Sequence, residues 1–164
     1  MNQLEKFKEI DTFIFDVDGV LTNSEVLVLE EGKLLRKMSI RDGYALKKAV
    51  QSSFNVCVIT GGKSEGVKIR LQNLGIEHIY LGQQNKTEAY EEFIYTYDID
   101  PMRTLYMGDD LPDLEVMEKV GLACCPQNAA PEILKIAHYV SPYNGGEGCA
   151  RDVIEKVLKL KKAW

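Results

Sequence analysis

The chain has 164 residues, 45% of them apolar and 27% charged, which suits one soluble domain with a real core over residues 1–164. A net charge of −5 excludes the basic footprint of a nucleic-acid-binding protein. The polar opening "MNQLEKFKEI" lacks a signal-peptide core and no run approaches membrane-spanning length, so a cytoplasmic protein is expected.

Strand 12–17 comes first. Its apolar residues Phe13 to Phe15 run straight into Asp16 and Asp18, and Gly19 lets the chain turn sharply. A buried strand that ends in two like charges needs something to use them. "EVLVLEEGKLLRKMSI" then reads as a hairpin turning at Glu30-Glu31-Gly32-Lys33. Its apolar residues exceed what a free two-stranded ribbon can hide, so it is expected to pack on another subunit. Helix 42–53 leads to strand 56–60, which ends in "VITGG". Thr60 offers a hydroxyl, and Gly61 and Gly62 offer backbone N–H groups, before helix 64–74. That combination suits phosphate. After strand 78–81, Lys86 opens helix 86–97. A cation is the wrong charge for that end of the helix dipole, so Lys86 is expected to serve a ligand.

Strand 104–108 runs into "MGDDLPDL", with Asp109, Asp110 and Asp113. Helix 112–119, strand 121–124, helix 130–136, strand 138–140 and helix 147–160 complete the chain. The alternation predicts an α/β fold with a doubly wound parallel sheet, binding ligands at the carboxyl ends of its strands where strand order reverses. Two acidic clusters at adjacent strand ends repel unless a cation sits between them. Hard oxygen ligands favour Mg²⁺. Cys57, Cys124, Cys125 and Cys149 lack paired metal-ligand spacing and read as buried hydrophobes, and His78 and His138 as strand-edge residues. Lys159, Lys161 and Lys162 read as a solvated helix end.

The set Asp16-x-Asp18-Gly19-Val20, Thr60, Lys86 and Gly108-Asp109-Asp110-x-x-Asp113 resembles the haloacid dehalogenase superfamily of phosphotransferases over nearly the whole chain. The resemblance implies Asp16 as nucleophile and Asp18 as acid and base. It implies Mg²⁺ held by Asp16, the Asp18 backbone carbonyl and Asp109, with Asp110 and Asp113 orienting the metal or its waters. Thr60 and Lys86 would then stabilise the transferring phosphoryl group.

Many members carry an inserted cap domain. The gaps after Asp18 and after strand 78–81 cannot hold one of ~50 residues, so the hairpin serves as a flap and a neighbouring subunit is expected to complete the site. "IRDGYALK", "ITGGKSEGVKIR", "YMGDDLPDLEVM" and "GGEGCARDVIE" resemble the capless branch that dephosphorylates octulosonate 8-phosphates and is typically tetrameric. By that resemblance Arg70 meets the substrate carboxylate, and Arg151 lies where the C-terminal region closes a neighbour's site. Related nonulosonate 9-phosphatases, of the sialic-acid type, tend to carry Glu and Lys where this chain has Gly62 and Asn73. Asn23-Ser24 departs from the branch's usual Asp-Gly. Two other readings stand beside these: a catalytically silent oligomerisation module, which the intact aspartates oppose, and a signalling receiver domain, which lacks the Asp-x-Asp-Gly arrangement.

Overall fold

The computed structural model describes residues 2–164. Six strands form one parallel sheet in the order β5-β4-β1-β6-β7-β8. These are β1 (Thr12–Phe15), β4 (Asn55–Ile59), β5 (His78–Tyr80), β6 (Thr104–Met107), β7 (Leu122–Cys125) and β8 (Tyr139–Val140). The chain builds outward from β1 through β4 to β5. It then returns to the other side of β1 and builds outward again through β6, β7 and β8. Strand order therefore reverses between β1 and β6, which pair in register from Thr12 with Thr104 to Phe15 with Met107.

All four β1 residues are buried, because helices cover both faces of the sheet. Phe13 and Phe15 point into a core closed by α1 (Gln3–Glu9), α2 (Ile40–Gln51), α3 (Glu65–Asn73) and α7 (Cys149–Leu160). Ile14 points the other way, into a core closed by α4 (Lys86–Thr96), α5 (Leu114–Met117) and α6 (Pro131–Ile136). On α2, Ala45, Leu46 and Ala49 form one apolar stripe, and it meets Val153, Ile154 and Val157 of α7. Each fully buried large aliphatic side chain contributes roughly 1.5–3 kcal/mol. The four cysteines are all free and buried.

Helix α1 is an element the polar N-terminus did not announce. Asn2 accepts the Glu5 N–H at 2.9 Å while Glu5 accepts the Asn2 N–H at 2.8 Å, a reciprocal cap. Phe7 then anchors the helix edge-on against Tyr139, at 5.1 Å between ring centroids.

The expected hairpin is present as β2 (Leu27–Val28) and β3 (Leu34–Leu35), an antiparallel pair separate from the main sheet. It rises after β1 as a flap. Val28 is 64% exposed and Leu35 48%. Only residues 81–85 join β5 to α4, and no cap domain interrupts the described residues.

Candidate active site at the reversal of strand order

The cleft opens above the carboxyl ends of β1, β4 and β6, with a volume of about 400 Å³. Asp16, Asp18, Thr60, Gly61, Lys86, Asp109 and Asp113 all line it, as the spacing of the motifs predicts. β1 ends at Phe15 rather than 17, because the chain bends at Asp16 to bring both aspartates toward the cleft. The Asp16 N–H still donates to the Met107 carbonyl at 3.1 Å, which fixes this bend to β6. Gly19, at φ +93°, makes the next turn possible. A Cβ there would stand 1.9 Å from Asp109 Oδ2, so both its backbone conformation and its lack of a side chain are needed. From behind, Gly145 packs on the same turn, 1.9 Å from the Gly19 carbonyl to a hypothetical Cβ.

Lys86, at the first position of α4, is buried with its ammonium 3.0 Å from Asp16 Oδ1 and 2.7 Å from Asp113 Oδ1. Burial works against its charge, but Asp16 and Asp113 outweigh burial and hold its pKa above the usual lysine value. Asp113 is fully buried and already occupied. Its Oδ1 accepts from Lys86 and from the Tyr106 hydroxyl at 2.6 Å, and its Oδ2 accepts the N–H groups of Asp109 and Asp110 at 3.0 and 3.3 Å. It braces the metal-side loop and the lysine together. Thr60 is buried, and its Oγ1 accepts the Gly62 N–H at 3.2 Å. Helix α3 begins only at Glu65, capped by Ser64, so Gly61 and Gly62 belong to a loop before the helix rather than to its first turn.

Oxygens of Asp16, Asp109 and Asp113 lie within 4.8 Å of one another. Burial, aided by Asp113, pushes the Asp16 carboxyl well above the usual range and the Asp109 carboxyl to about 6. Asp109 Oδ1 is buried and has no hydrogen-bond partner. An orphaned carboxylate oxygen amid crowded like charges, with oxygen donors only, fits a hard divalent cation such as Mg²⁺.

Three further expected site residues take up different places. Asp110 also lines the cleft, and its exposed carboxylate caps the following turn by accepting the Leu111 N–H at 2.8 Å. Arg151, expected at a neighbour's site, is not among the residues lining the cleft of its own chain. It stands on the first turn of α7 between the rings of Tyr44 and Trp164, with Nε 3.3 Å from Glu155. Arg70 lines an adjoining cavity, and its Nη2 makes a long 3.5 Å contact to the Ser39 carbonyl. Two residues escaped the sequence reading. Tyr106 sits in a wholly apolar-looking strand, where its buried hydroxyl was the signal that a partner must exist. Arg36, on the flap, holds both oxygens of Asp18 at 2.7 and 3.1 Å. Only a basic residue amid an apolar ribbon hinted at it. Gln83 and Gln84 also line the cleft.

Residues 72–152 match the family model for haloacid dehalogenase-like hydrolases. The chain is 36% identical over 155 residues to the 3-deoxy-D-manno-octulosonate 8-phosphate phosphatase of Yersinia pestis, covering 94% of this chain and 83% of that protein. The family is settled by this match. The chain belongs to the 3-deoxy-D-manno-octulosonate 8-phosphate phosphatase family of haloacid dehalogenase-like hydrolases. The Escherichia coli K12 member of the family is 39% identical over 94% of this chain and 82% of its own length. The crystal structure of the Yersinia pestis phosphatase superposes with a TM-score of 0.94 at 35% identity, covering 98% of this chain and 86% of that one. The Moraxella catarrhalis phosphatase, solved in complex with magnesium, phosphate and KDO, superposes with a TM-score of 0.92 at 32% identity, covering 96% and 90%. As a member of this phosphatase family the chain is a phosphoric monoester hydrolase, and its Asp16–Asp109–Asp113 cluster offers the oxygen donors that suit a divalent cation.

Proposed function

We propose that the chain hydrolyses 3-deoxy-D-manno-octulosonate 8-phosphate to 3-deoxy-D-manno-octulosonate and phosphate, by way of a phosphoryl group carried on Asp16. The observation that carries this reading is the buried Asp16–Lys86–Asp113 triplet beside the unpartnered Asp109, in a chain so similar to family members named for that reaction.

Asp16 Oδ attacks phosphorus, forming an O–P bond as the bond to the sugar's oxygen breaks. Asp18 gives its proton to that departing oxygen. It then takes a proton from the water whose oxygen attacks phosphorus and returns Asp16 as a carboxylate. Lys86, the Thr60 hydroxyl and the loop at Gly61 surround the phosphoryl oxygens and compensate their charge. Asp113 positions Lys86 through their 2.7 Å contact. Asp16, the Asp18 backbone carbonyl and Asp109 would hold Mg²⁺, which supplies further charge neutralisation at the phosphoryl oxygens. Arg70 faces the far end of the sugar acid, where its guanidinium suits a carboxylate.

The exposed flap supports a homotetramer whose neighbouring subunits cover the open sites, and the enzyme is proposed to work in the cytoplasm. Among the described residues no helix is long and apolar enough to cross a membrane.

Asp16→Asn tests the mechanism. An amide cannot attack phosphorus, so Mg²⁺-dependent phosphate release from the octulosonate phosphate should fall to background while circular dichroism stays unchanged. Near wild-type turnover in this variant would reject Asp16 as nucleophile.

A further inference from the structure

Arg36 ties the flap to the catalytic machinery. Its Nε and Nη2 form a two-pronged fork on Asp18, taking both carboxylate oxygens at once. A carboxylate gripped in that way cannot turn freely toward a departing oxygen in the cleft. The grip is allowed by the residue opposite. A Cβ at Gly62 would stand 3.1 Å from Arg36 Nη2 and 3.4 Å from Asp18 Oδ2, so any side chain there would crowd the pair. The pair can be reached from the cleft on one side: the Asp18 side chain is 37% exposed, whereas that of Arg36 is 9% exposed.

Arg36 lines a second cavity, of about 410 Å³, together with Leu34, Leu35, Met38, Ser64 and Arg70. Two guanidinium groups border it, and no carboxylate is among its lining residues. A cavity so lined attracts an anion, and the proposed substrate brings one: the carboxylate at the end opposite its phosphate.

We propose that Arg36 is a substrate-displaced latch on Asp18, a positioning residue that confers specificity. In the free enzyme it holds Asp18. A substrate carboxylate entering the cavity between Arg36 and Arg70 draws the Arg36 guanidinium away, and the freed Asp18 carboxylate takes up a proton from water and then gives it to the departing oxygen. A phosphate ester without a carboxylate leaves the latch closed. The inference rests on the proposed sugar-acid substrate and adds a reason for its selection.

Steady-state kinetics on the intact enzyme with Mg²⁺ test it, using 3-deoxy-octulosonate 8-phosphate and p-nitrophenyl phosphate side by side. Arg36→Met keeps the apolar stem and removes the fork. Its kcat/KM should rise about tenfold on p-nitrophenyl phosphate and fall about tenfold on the octulosonate phosphate. Arg36→Lys keeps a cation without the fork and should recover part of the preference for the carboxylated substrate. Arg36→Gln serves as the second neutral variant if Arg36→Met loses its circular dichroism signal. Equal losses on both substrates would make Arg36 a structural prop for Asp18, and unchanged kinetics would make the pair incidental; either overturns the latch. A wild type inert toward the octulosonate phosphate would overturn the proposed substrate instead, and the p-nitrophenyl phosphate arm would still decide whether Arg36 restrains Asp18.

Discussion

Asp113 shows how one carboxylate can organise a site without touching the substrate. Four donors converge on it, from Lys86, Tyr106, and the backbone of Asp109 and Asp110. Removing it strips Lys86 of one of its two partners and frees the loop that carries Asp109. Breaking a buried ion pair costs about 3–5 kcal/mol, and Lys86 keeps Asp16, so the lower end applies. Asp113→Ala should therefore lose about 3 kcal/mol by urea denaturation, together with most of its activity. A loss under about 1 kcal/mol would mean that these hydrogen bonds are redundant. The motif Gly-Asp-Asp-x-x-Asp announced three acids, but not their separate duties. Spacing brings Asp110 and Asp113 to the same loop, whereas burial decides that Asp113 braces it from within and Asp110 caps a turn at the cleft's exposed side.

At the scale of elements, alternation in the sequence was enough to find all six sheet strands and the flap. Apolar runs between turn residues are the signature of strands buried on both faces. Helix α1 was not legible, because a helix with one buried anchor, Phe7, has almost no periodicity to read. The flap's apolar exposure has a consequence that can be measured. Val28→Lys and Leu35→Glu should shift sedimentation toward smaller species and lower activity in parallel; a wild type that is monomeric and fully active would dismiss the assembly.

Helix α7 is pinned to α2 by Asp42, whose Oδ1 accepts the Arg151 N–H at 2.9 Å while its buried Oδ2 has no partner. Burial raises the pKa of Asp42, with the Arg151 N–H opposing. A carboxyl raised in the folded state favours folding most below its unfolded pKa, and that contribution is lost as pH rises through its folded pKa. Asp42→Asn removes this dependence. The melting temperature of the variant relative to wild type should thus climb as pH is raised from 4 toward 8, and a constant difference would show that Asp42 does not titrate in that range.

At the scale of the molecule, the convergence of Asp16, Asp18, Thr60, Lys86, Asp109 and Asp113 on one cleft was readable because each falls at the end of a strand that the alternation predicts. The far end of the substrate was not. Arg151 follows a familiar glycine-rich stretch, yet the packing of α7 against α2 turns it to Tyr44 and Trp164. Arg36 lies 18 residues from Asp18, and only the fold of the flap brings them together. Such pairings arise from tertiary contacts that no local pattern encodes. The most direct measurement is phosphate release by the wild-type enzyme, with and without Mg²⁺, from 3-deoxy-D-manno-octulosonate 8-phosphate and from a nonulosonate 9-phosphate. The expected result is Mg²⁺-dependent hydrolysis with the higher kcat/KM on the octulosonate phosphate. Preference for the nine-carbon substrate, or turnover of neither, would contradict the account.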